Sequence, residues 1–289
     1  MYPNPFDYYR AETVDEALDL LDDHAAANPT VLSGGHSLVP TMKSGLAAPD
    51  VVIDIGDIDE LSGVDVADGT VEIGACTRYA AVVETDLVDE HAPVVSEATA
   101  EIGDAQVRSR GTVGGNVAHA DPASDLPAVM VATDTTIHAT GPAGERTIPA
   151  DDFFLGIYTT GLGPDEILTR LSVPALDEGA GAYVKKESPS SGYAMIGVAV
   201  RLQTDGGTIA DAGVAANGAM DHAIRLDGVE DALVGQQADE VAVDAAADRA
   251  MDSLEADDLM DDIQASGAYR AQLLESYTAR AIDRALDRL

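Results

Sequence analysis

The sequence predicts an α+β protein built from two or three compact units. Three observations carry that reading. Segments with helical spacing of apolar residues alternate with short β-branched runs along the chain. At 289 residues the chain is long enough for more than one hydrophobic core. A stretch rich in Pro and Gly at 172–182, SVPALDEGAGA, divides an alternating first part from an end that is first strand-rich and then helical.

The elements follow in order. In TVDEALDLLDDHAAA the apolar positions Val14, Ala17, Leu18 and Leu21 share one helical face, and Thr13 precedes them as an N-cap. TVLSGG (30–35) reads as a strand running into a glycine turn, SLVPTMKSG as a short helix or turn, and DVVIDIGDI as a further strand. These make a small α/β unit over 1–57. GTVEIGACT is another strand, with helical stretches at RYAAVVETDLV and APVVSEATAEIG. The stretch from Arg108 to Asp134 is rich in glycine, and within it NVAHADPASDLPA (116–128), polar and punctuated by proline, is expected to be a loop with something to hold. TTIHATG and GERTIPADDFF have the pattern of a β-hairpin, closing a second unit over 58–175. In the last part, 176–289, YAMIGVAVRLQTDGGTIADAGVAANG reads as strand, Asp-Gly-Gly turn and strand. Two helices then end the chain.

Charge excludes several functions. There are 52 acidic residues against 16 basic ones, a formal net charge of −36, and the acid is scattered rather than gathered in a tail. Nucleic acid is excluded as a partner, because no basic surface exists to neutralise phosphates. Self-repulsion on this scale is a pattern of proteins from salt-rich cytoplasm, so the chain is expected to be halophilic. No run approaches the length needed to span a bilayer, and MYPNPFDYYR lacks the features of a signal peptide, so the expected location is cytoplasmic. The single cysteine, Cys76, leaves no internal disulfide and no cysteine-held iron–sulfur cluster or structural zinc. It is expected to be a small buried core residue.

Two glycine clusters stand out: Gly34-Gly35 in SGGHS and Gly114-Gly115 in TVGGN. Glycine permits positive φ and close backbone approach, and successive backbone N–H groups then form an anion-binding nest. Such a nest suits an acidic chain, since it needs no lysine or arginine. Each pair can equally make a tight turn and nothing more. Neither is the G-x-G-x-x-G dinucleotide fingerprint. After the second cluster, Asn116, His119, Asp121, Ser124 and Asp125 offer partners for hydroxyl groups. Asp121 and Ser124 are also explained as turn and cap residues; Asp125 less so. His36 and His119 lie far apart in sequence without a cysteine or H-x-x-x-H companion, which argues against a metal site. No G-x-S-x-G elbow points to a hydrolase.

The segments LSGGHSLVPTMKSGLAAPDVVIDIGDIDEL, QVRSRGTVGGNVAHADPASDLPAVM, DFFLGIYTTGLGPDEILTRLSVP and YVKKESPSSGYAMIGVAV resemble, in order and spacing, the FAD-binding medium subunit of molybdenum hydroxylases. That family includes the flavoprotein of aerobic-type carbon monoxide dehydrogenase and the flavin domain of xanthine dehydrogenase. The resemblance runs from Phe6 to the last helix. It implies a PCMH-like FAD-binding domain of two subdomains, 1–57 and 58–175, followed by a smaller α+β C-terminal domain. It further implies noncovalent FAD, with its pyrophosphate cradled by Ser33, Gly34, Gly35, His36 and Ser37 on one side and by Thr112, Gly114, Gly115 and Asn116 on the other. Asp125 matches the acidic residue that bonds ribityl or ribose hydroxyls. Ile102, Leu162 and Tyr193 match positions near the flavin rings, and Lys185 a lysine at the cofactor pocket. Ser33 stands where family members usually carry alanine. An aromatic such as Tyr193 can stack on a flavin and limit solvent access, although a tyrosine opening a strand is as often core.

The function implied is an electron-transfer oxidoreductase subunit with no general acid–base residue of its own. The molybdenum cofactor would sit on a large partner subunit and [2Fe-2S] clusters on a small one, in a dimer of heterotrimers. The rival readings are a self-sufficient FAD oxidase of vanillyl-alcohol-oxidase type, with flavin attached covalently at His36, and a nucleotide-binding regulatory module without turnover.

Overall fold

The computed structural model describes residues 2–252, 254–255 and 257–289, arranged around three sheets with a hydrophobic core against each. In the first sheet β1 (Asp7–Arg10) and β2 (Pro29–Leu32) flank β3 (Val51–Asp54), and both pairings are parallel. Parallel neighbours need crossovers. Helix α1 (Val14–Asp23) provides one, and the short α2 (Leu38–Ser44) the other. Thr13 caps α1, its hydroxyl accepting from the Glu16 N–H at 3.1 Å, and Ala17 and Leu21 pack against Val51 and Ile53.

The second sheet is antiparallel, in the order β4 (Val64–Ala67), β5 (Thr70–Gly74), β10 (Ile167–Pro174), β6 (Thr136–Gly141), β7 (Gly144–Pro149). β6 and β7 form the expected hairpin. A small ribbon of β8 (Phe154–Gly156) and β9 (Thr159–Thr160) follows. Helices α3 (Tyr79–Glu84), α4 (Asp86–His91), α5 (Pro93–Ala100) and α6 (Ala105–Arg108) lie between β5 and the glycine-rich segment.

That segment is not the loop its composition suggests. Residues 113–119 form α7 (Val113–His119), with Thr112 as N-cap, and residues 125–132 form α8 (Asp125–Ala132), in which every residue is buried. A helix apolar on all sides has no moment to reveal it, and Pro127 falls within its first turn, where proline is tolerated. Within 116–128 only residues 120–124 remain irregular.

The third sheet, β11 (Gly179–Glu187), β12 (Ala194–Asp205), β13 (Thr208–Asn217) and β14 (Ile224–Arg225), is antiparallel throughout. The expected Asp-Gly-Gly turn is there, with Gly206 and Gly207 both at positive φ between the paired Asp205 and Thr208. The two expected closing helices prove to be α9 (Asp227–Leu233), α10 (Val243–Ala247) and α11 (Gly267–Leu286), the last packing Leu274, Tyr277 and Ile282 onto the third core. Helix α8 joins the parts. It belongs to the second core, yet its C-terminus presses on β13 so closely that a Cβ on Gly213 would lie 1.9 Å from the Ala132 carbonyl. Among the described residues no helix is long and apolar enough to cross a membrane.

Candidate functional site

A cleft of ≈ 660 Å³ opens between the first and second sheets. One wall is the end of β2 with the turn into α2, from Thr30 to Leu38; the other is Ala75, Cys76 and the segment from Gly111 to Asn116. Leu162, Ile167 and Leu168 give an apolar side, and His119 and Tyr158 also line it. The volume is that of a ligand site rather than a packing defect.

The two glycine turns meet each other before they meet anything else. A Cβ on Gly34 would lie 2.4 Å from the Arg110 carbonyl and 2.8 Å from Gly111 Cα, so Gly34 allows two backbones to touch. The Ser33 and Thr112 hydroxyls bond across this junction at 2.8 Å. Gly114 likewise lets α7 rest on Ala75, with a Cβ there 2.5 Å from Ala75 Cβ. Gly35 has a different reason: its φ of 75° lies in the left-handed region. Cys76 is buried at the same junction, 3.3 Å from the Ser33 hydroxyl, and burial pushes its thiol up to about 11. It is the inert core residue expected from the sequence.

The turns also differ in the hydrogen bonds they have left to give. In α7, the Val113 and Gly114 N–H groups donate to the Thr77 and Ala75 carbonyls, Asn116 N–H to the Thr112 carbonyl, and Gly115 N–H over 3.3 Å to the Thr112 hydroxyl. The Asn116 side chain is engaged too, donating to the Tyr79 hydroxyl at 2.9 Å and accepting from Ser124 at 2.7 Å. By contrast, the N–H groups of Gly34, Gly35, His36 and Ser37 donate to no carbonyl or side chain among the described residues. They line the cleft as a row of free donors leading into α2. Backbone donors in that state call for an anion or water.

Ten of the fourteen cofactor residues implied by the resemblance line this cleft: Ser33, Gly34, Gly35, His36, Ser37, Thr112, Gly114, Gly115, Asn116 and Leu162. Four do not. Ile102 follows α5 and packs at the edge of the second core. Asp125 and Lys185 are buried against each other, with side chains 7% and 5% exposed and Nζ 3.0 Å from Oδ2. Tyr183 donates to the other Asp125 oxygen at 2.6 Å, and Asn217 lies 3.2 Å from the Tyr183 hydroxyl. That hydroxyl has one proton, already given to Asp125, so the facing Asn217 atom is best taken as its amide nitrogen, donating. Burial lifts the Asp125 pKa, while Lys185 and the Tyr183 hydroxyl oppose the rise.

Tyr193, half-exposed, stands at the rim, with its hydroxyl against that of Ser37 and its ring near Tyr158 and Asp121. Tyr158 was not foreseen as a site residue. It tilts on the His119 ring at 4.8 Å between centroids, and its N–H donates to Ala120 at 3.3 Å; both Tyr158 and Ala120 have left-handed φ. Positive φ at two non-glycine residues leaves no mark in sequence. Burial lowers the pKa of His119, so its imidazole is neutral at pH 7. Glu166 also lines the cleft, held by a two-pronged Arg146 contact at 2.6 and 2.7 Å that lowers its pKa.

Comparison with known proteins agrees with this geometry. Residues 4–176 match the family described as the FAD binding domain in molybdopterin dehydrogenase, and residues 182–285 the CO dehydrogenase flavoprotein C-terminal domain. The chain is 38% identical over 277 residues to the carbon monoxide dehydrogenase medium chain of Hydrogenophaga pseudoflava, covering 95% of this chain and 96% of that one. It is 35% identical over 281 residues to the glyceraldehyde dehydrogenase medium chain of Sulfolobus acidocaldarius, covering 97% and 98%. Among solved structures, carbon monoxide dehydrogenase from Hydrogenophaga pseudoflava superposes with a TM-score of 0.94 at 37% identity, covering 100% of this chain and 99% of that one.

Proposed function

Since the chain belongs to the FAD-binding medium subunits of molybdenum hydroxylases, we propose that it binds FAD in the cleft between its first two sheets and relays electrons from a partner's iron–sulfur clusters to an external acceptor. One observation carries the placement: the free N–H row from Gly34 to Ser37 on the cleft wall. A pyrophosphate satisfies those donors without a cationic side chain, which suits a chain with so few. The α7 side supplies a wall and the Thr112 hydroxyl, which is bonded to that of Ser33 on the facing turn; its backbone donors are already spent inside the fold.

When bound, the flavin supplies the redox chemistry. The protein's part is to bind and shield it. Leu162 and Leu168 exclude water from one side of the cleft, and Tyr193 and Tyr158 cover its rim. Neutral His119 lets an aromatic ring lie against it without a buried charge. His36 is a positioning residue beside the cofactor.

Membership supports the placement of the other cofactors, and the remaining readings are proposed with it. The molybdenum cofactor and [2Fe-2S] clusters reside on partner subunits, and substrate choice goes with them. The subunits that this chain resembles belong to dehydrogenases named for carbon monoxide, glyceraldehyde and caffeine. We place the division of the chain at 1–57, 58–175 and 176–289, and the assembly as a dimer of heterotrimers in a salt-rich cytoplasm. The covalent oxidase is the weaker alternative, since relatives matched over nearly their full length are medium chains of complexes. Acid precipitation of the chain assembled with its partners decides. The expected result is free FAD in the supernatant and a colourless pellet. A yellow pellet would show covalent attachment, and an assembly devoid of flavin would refute the proposal.

A further inference from the structure

Lys185 is one of three lysines in the chain and is almost wholly buried. Its ammonium has three protons, and the structure gives each an acceptor on a different segment: Asp125 Oδ2 at 3.0 Å, the Glu101 carbonyl at 2.9 Å and the Gly192 carbonyl at 3.2 Å. Asp125 opens α8, Glu101 caps the C-terminus of α5, and Gly192 precedes Tyr193. Lysine alone among side chains offers three donors on a single nitrogen at the end of a long stem.

The third contact has a purpose the other two do not explain. Residues 188–193 make a turn closed on itself, with Ser188 N–H donating to the Tyr193 carbonyl at 2.8 Å and Gly192 N–H to the Ser188 carbonyl at 3.0 Å. Gly192 sits at φ 77°, which aims its carbonyl inward at Lys185. On its N-terminal side the turn carries only serines and a proline, of which Ser188 alone is buried while Pro189, Ser190 and Ser191 are exposed. We propose that Lys185 is a positioning residue: it ties the 188–193 turn to the start of α8 and thereby fixes Tyr193 at the rim of the cleft. Asp125 is then the fixed counter-charge of this tie, held from its other side by Tyr183. A buried carboxylate so held is available to set geometry across the seam between second core and third sheet.

The chain contains no tryptophan, so Tyr193→Trp introduces a single indole whose exposure reports the turn. Acrylamide quenching of this full-length variant is compared with the same variant carrying Lys185→Met. Losing one hydrogen bond is expected to shift the turn about fivefold toward the exposed form, the equivalent of about 1 kcal/mol. Lys185→Met strands the Asp125 charge and can unfold the chain, so a Lys185→Met/Asp125→Asn version removes both charges while still losing the Gly192 contact. Unchanged quenching in the folded double version would overturn the proposal. A second arm uses the flavin and rests on the function proposed above. In the assembled protein, Lys185→Met and Tyr193→Ala are each expected to shift the flavin midpoint potential, and their combination to shift it no further than Tyr193→Ala alone. Additive shifts would overturn the proposal. If the assembly held no flavin, the cofactor reading would fail while the quenching arm still decided the role of Lys185.

Discussion

Gly34 and Gly35 are adjacent and look alike in sequence, but they are glycine for unrelated reasons. Gly34 faces backbone, where a methyl group would sit 2.4 Å from the Arg110 carbonyl and 2.9 Å from Thr112 N. Backbone cannot yield as a flexible side chain can, so Gly34→Ala must separate the two turns. Gly35 would place its methyl 3.2 Å from Leu32 Cδ1 and 3.3 Å from Val39 Cγ2, contacts that side chains can ease, and its cost is mainly the left-handed φ. That cost is about 1 kcal/mol, against about 1–3 kcal/mol for overpacking. Gly34→Ala is therefore expected to lower the thermal midpoint by more than Gly35→Ala does. It should also lose FAD in assemblies that remain folded, because the Ser33–Thr112 bridge at 2.8 Å is broken. Equal midpoints and equal FAD content in the two variants would refute this division of roles.

At the scale of elements, α8 is the part on which both ends of the site lean. Its N-terminus carries Asp125 and its C-terminus is gripped by two arginines from the third sheet. Arg201 donates to the Ala132 carbonyl at 3.1 Å and pairs with Asp134 and Asp211 at 2.7 Å each; Arg225 donates to the Val131 carbonyl at 2.6 Å and pairs with Asp151 and Glu230 at 3.0 Å each. Arg201 is buried, its partners half-exposed. Arg201→Met keeps the stem but frees the Ala132 carbonyl and the Asp211 carboxylate, while Asp134 keeps its contact with Arg225. Breaking a buried pair costs about 3–5 kcal/mol, and the exposure of both aspartates brings the expected loss to the lower part of that range. Chemical denaturation read at equilibrium checks it, and a loss below about 1 kcal/mol would show that the grip is ornamental. The same element explains what sequence could and could not reveal. Strands with alternating or β-branched patterns, the Thr13-capped helix and the Gly206-Gly207 hairpin were readable, because period and turn chemistry are local. Helix α8 was not, since its apolar residues face every direction and its neighbours come from β12 and β13, far along the chain. For the site, the residue types of the SGGHS turn were legible. The spent donors of α7, the Asp125–Lys185 pairing and the strained Tyr158 depend on which distant backbone lies opposite, and composition does not encode that.

The whole molecule is set against itself by charge. With 52 acidic and 16 basic residues, each acidic group meets mostly its own kind. Two like charges 10 Å apart in water repel by about 0.4 kcal/mol, and a net charge of −36 multiplies such pairs many times over. Opposing this are the ion pairs, most of them involving exposed groups such as Arg10–Asp57 at 3.0 Å and Arg249–Asp252 at 2.7 Å. Exposed pairs are worth about 0–1 kcal/mol each, and salt weakens them as well. Only 16 basic residues are available to make them, whereas the repulsion is summed over every acidic pair within a screening length. The repulsive sum is the larger, so screening must favour the folded chain. The screening length falls from about 10 Å at 0.1 M salt to about 3 Å at 1 M, which removes repulsion between neighbours on the surface while leaving buried contacts such as Lys185–Asp125 largely intact. The thermal midpoint is therefore expected to rise steadily as potassium chloride is raised from 0.1 M to above 1 M, and most steeply at the low end, where the screening length changes most. Differential scanning calorimetry across that series checks it, with a neutral osmolyte at matched water activity to separate screening from exclusion effects. A midpoint that stays flat in potassium chloride, or that rises equally with the osmolyte, would remove charge repulsion as the term that limits this fold.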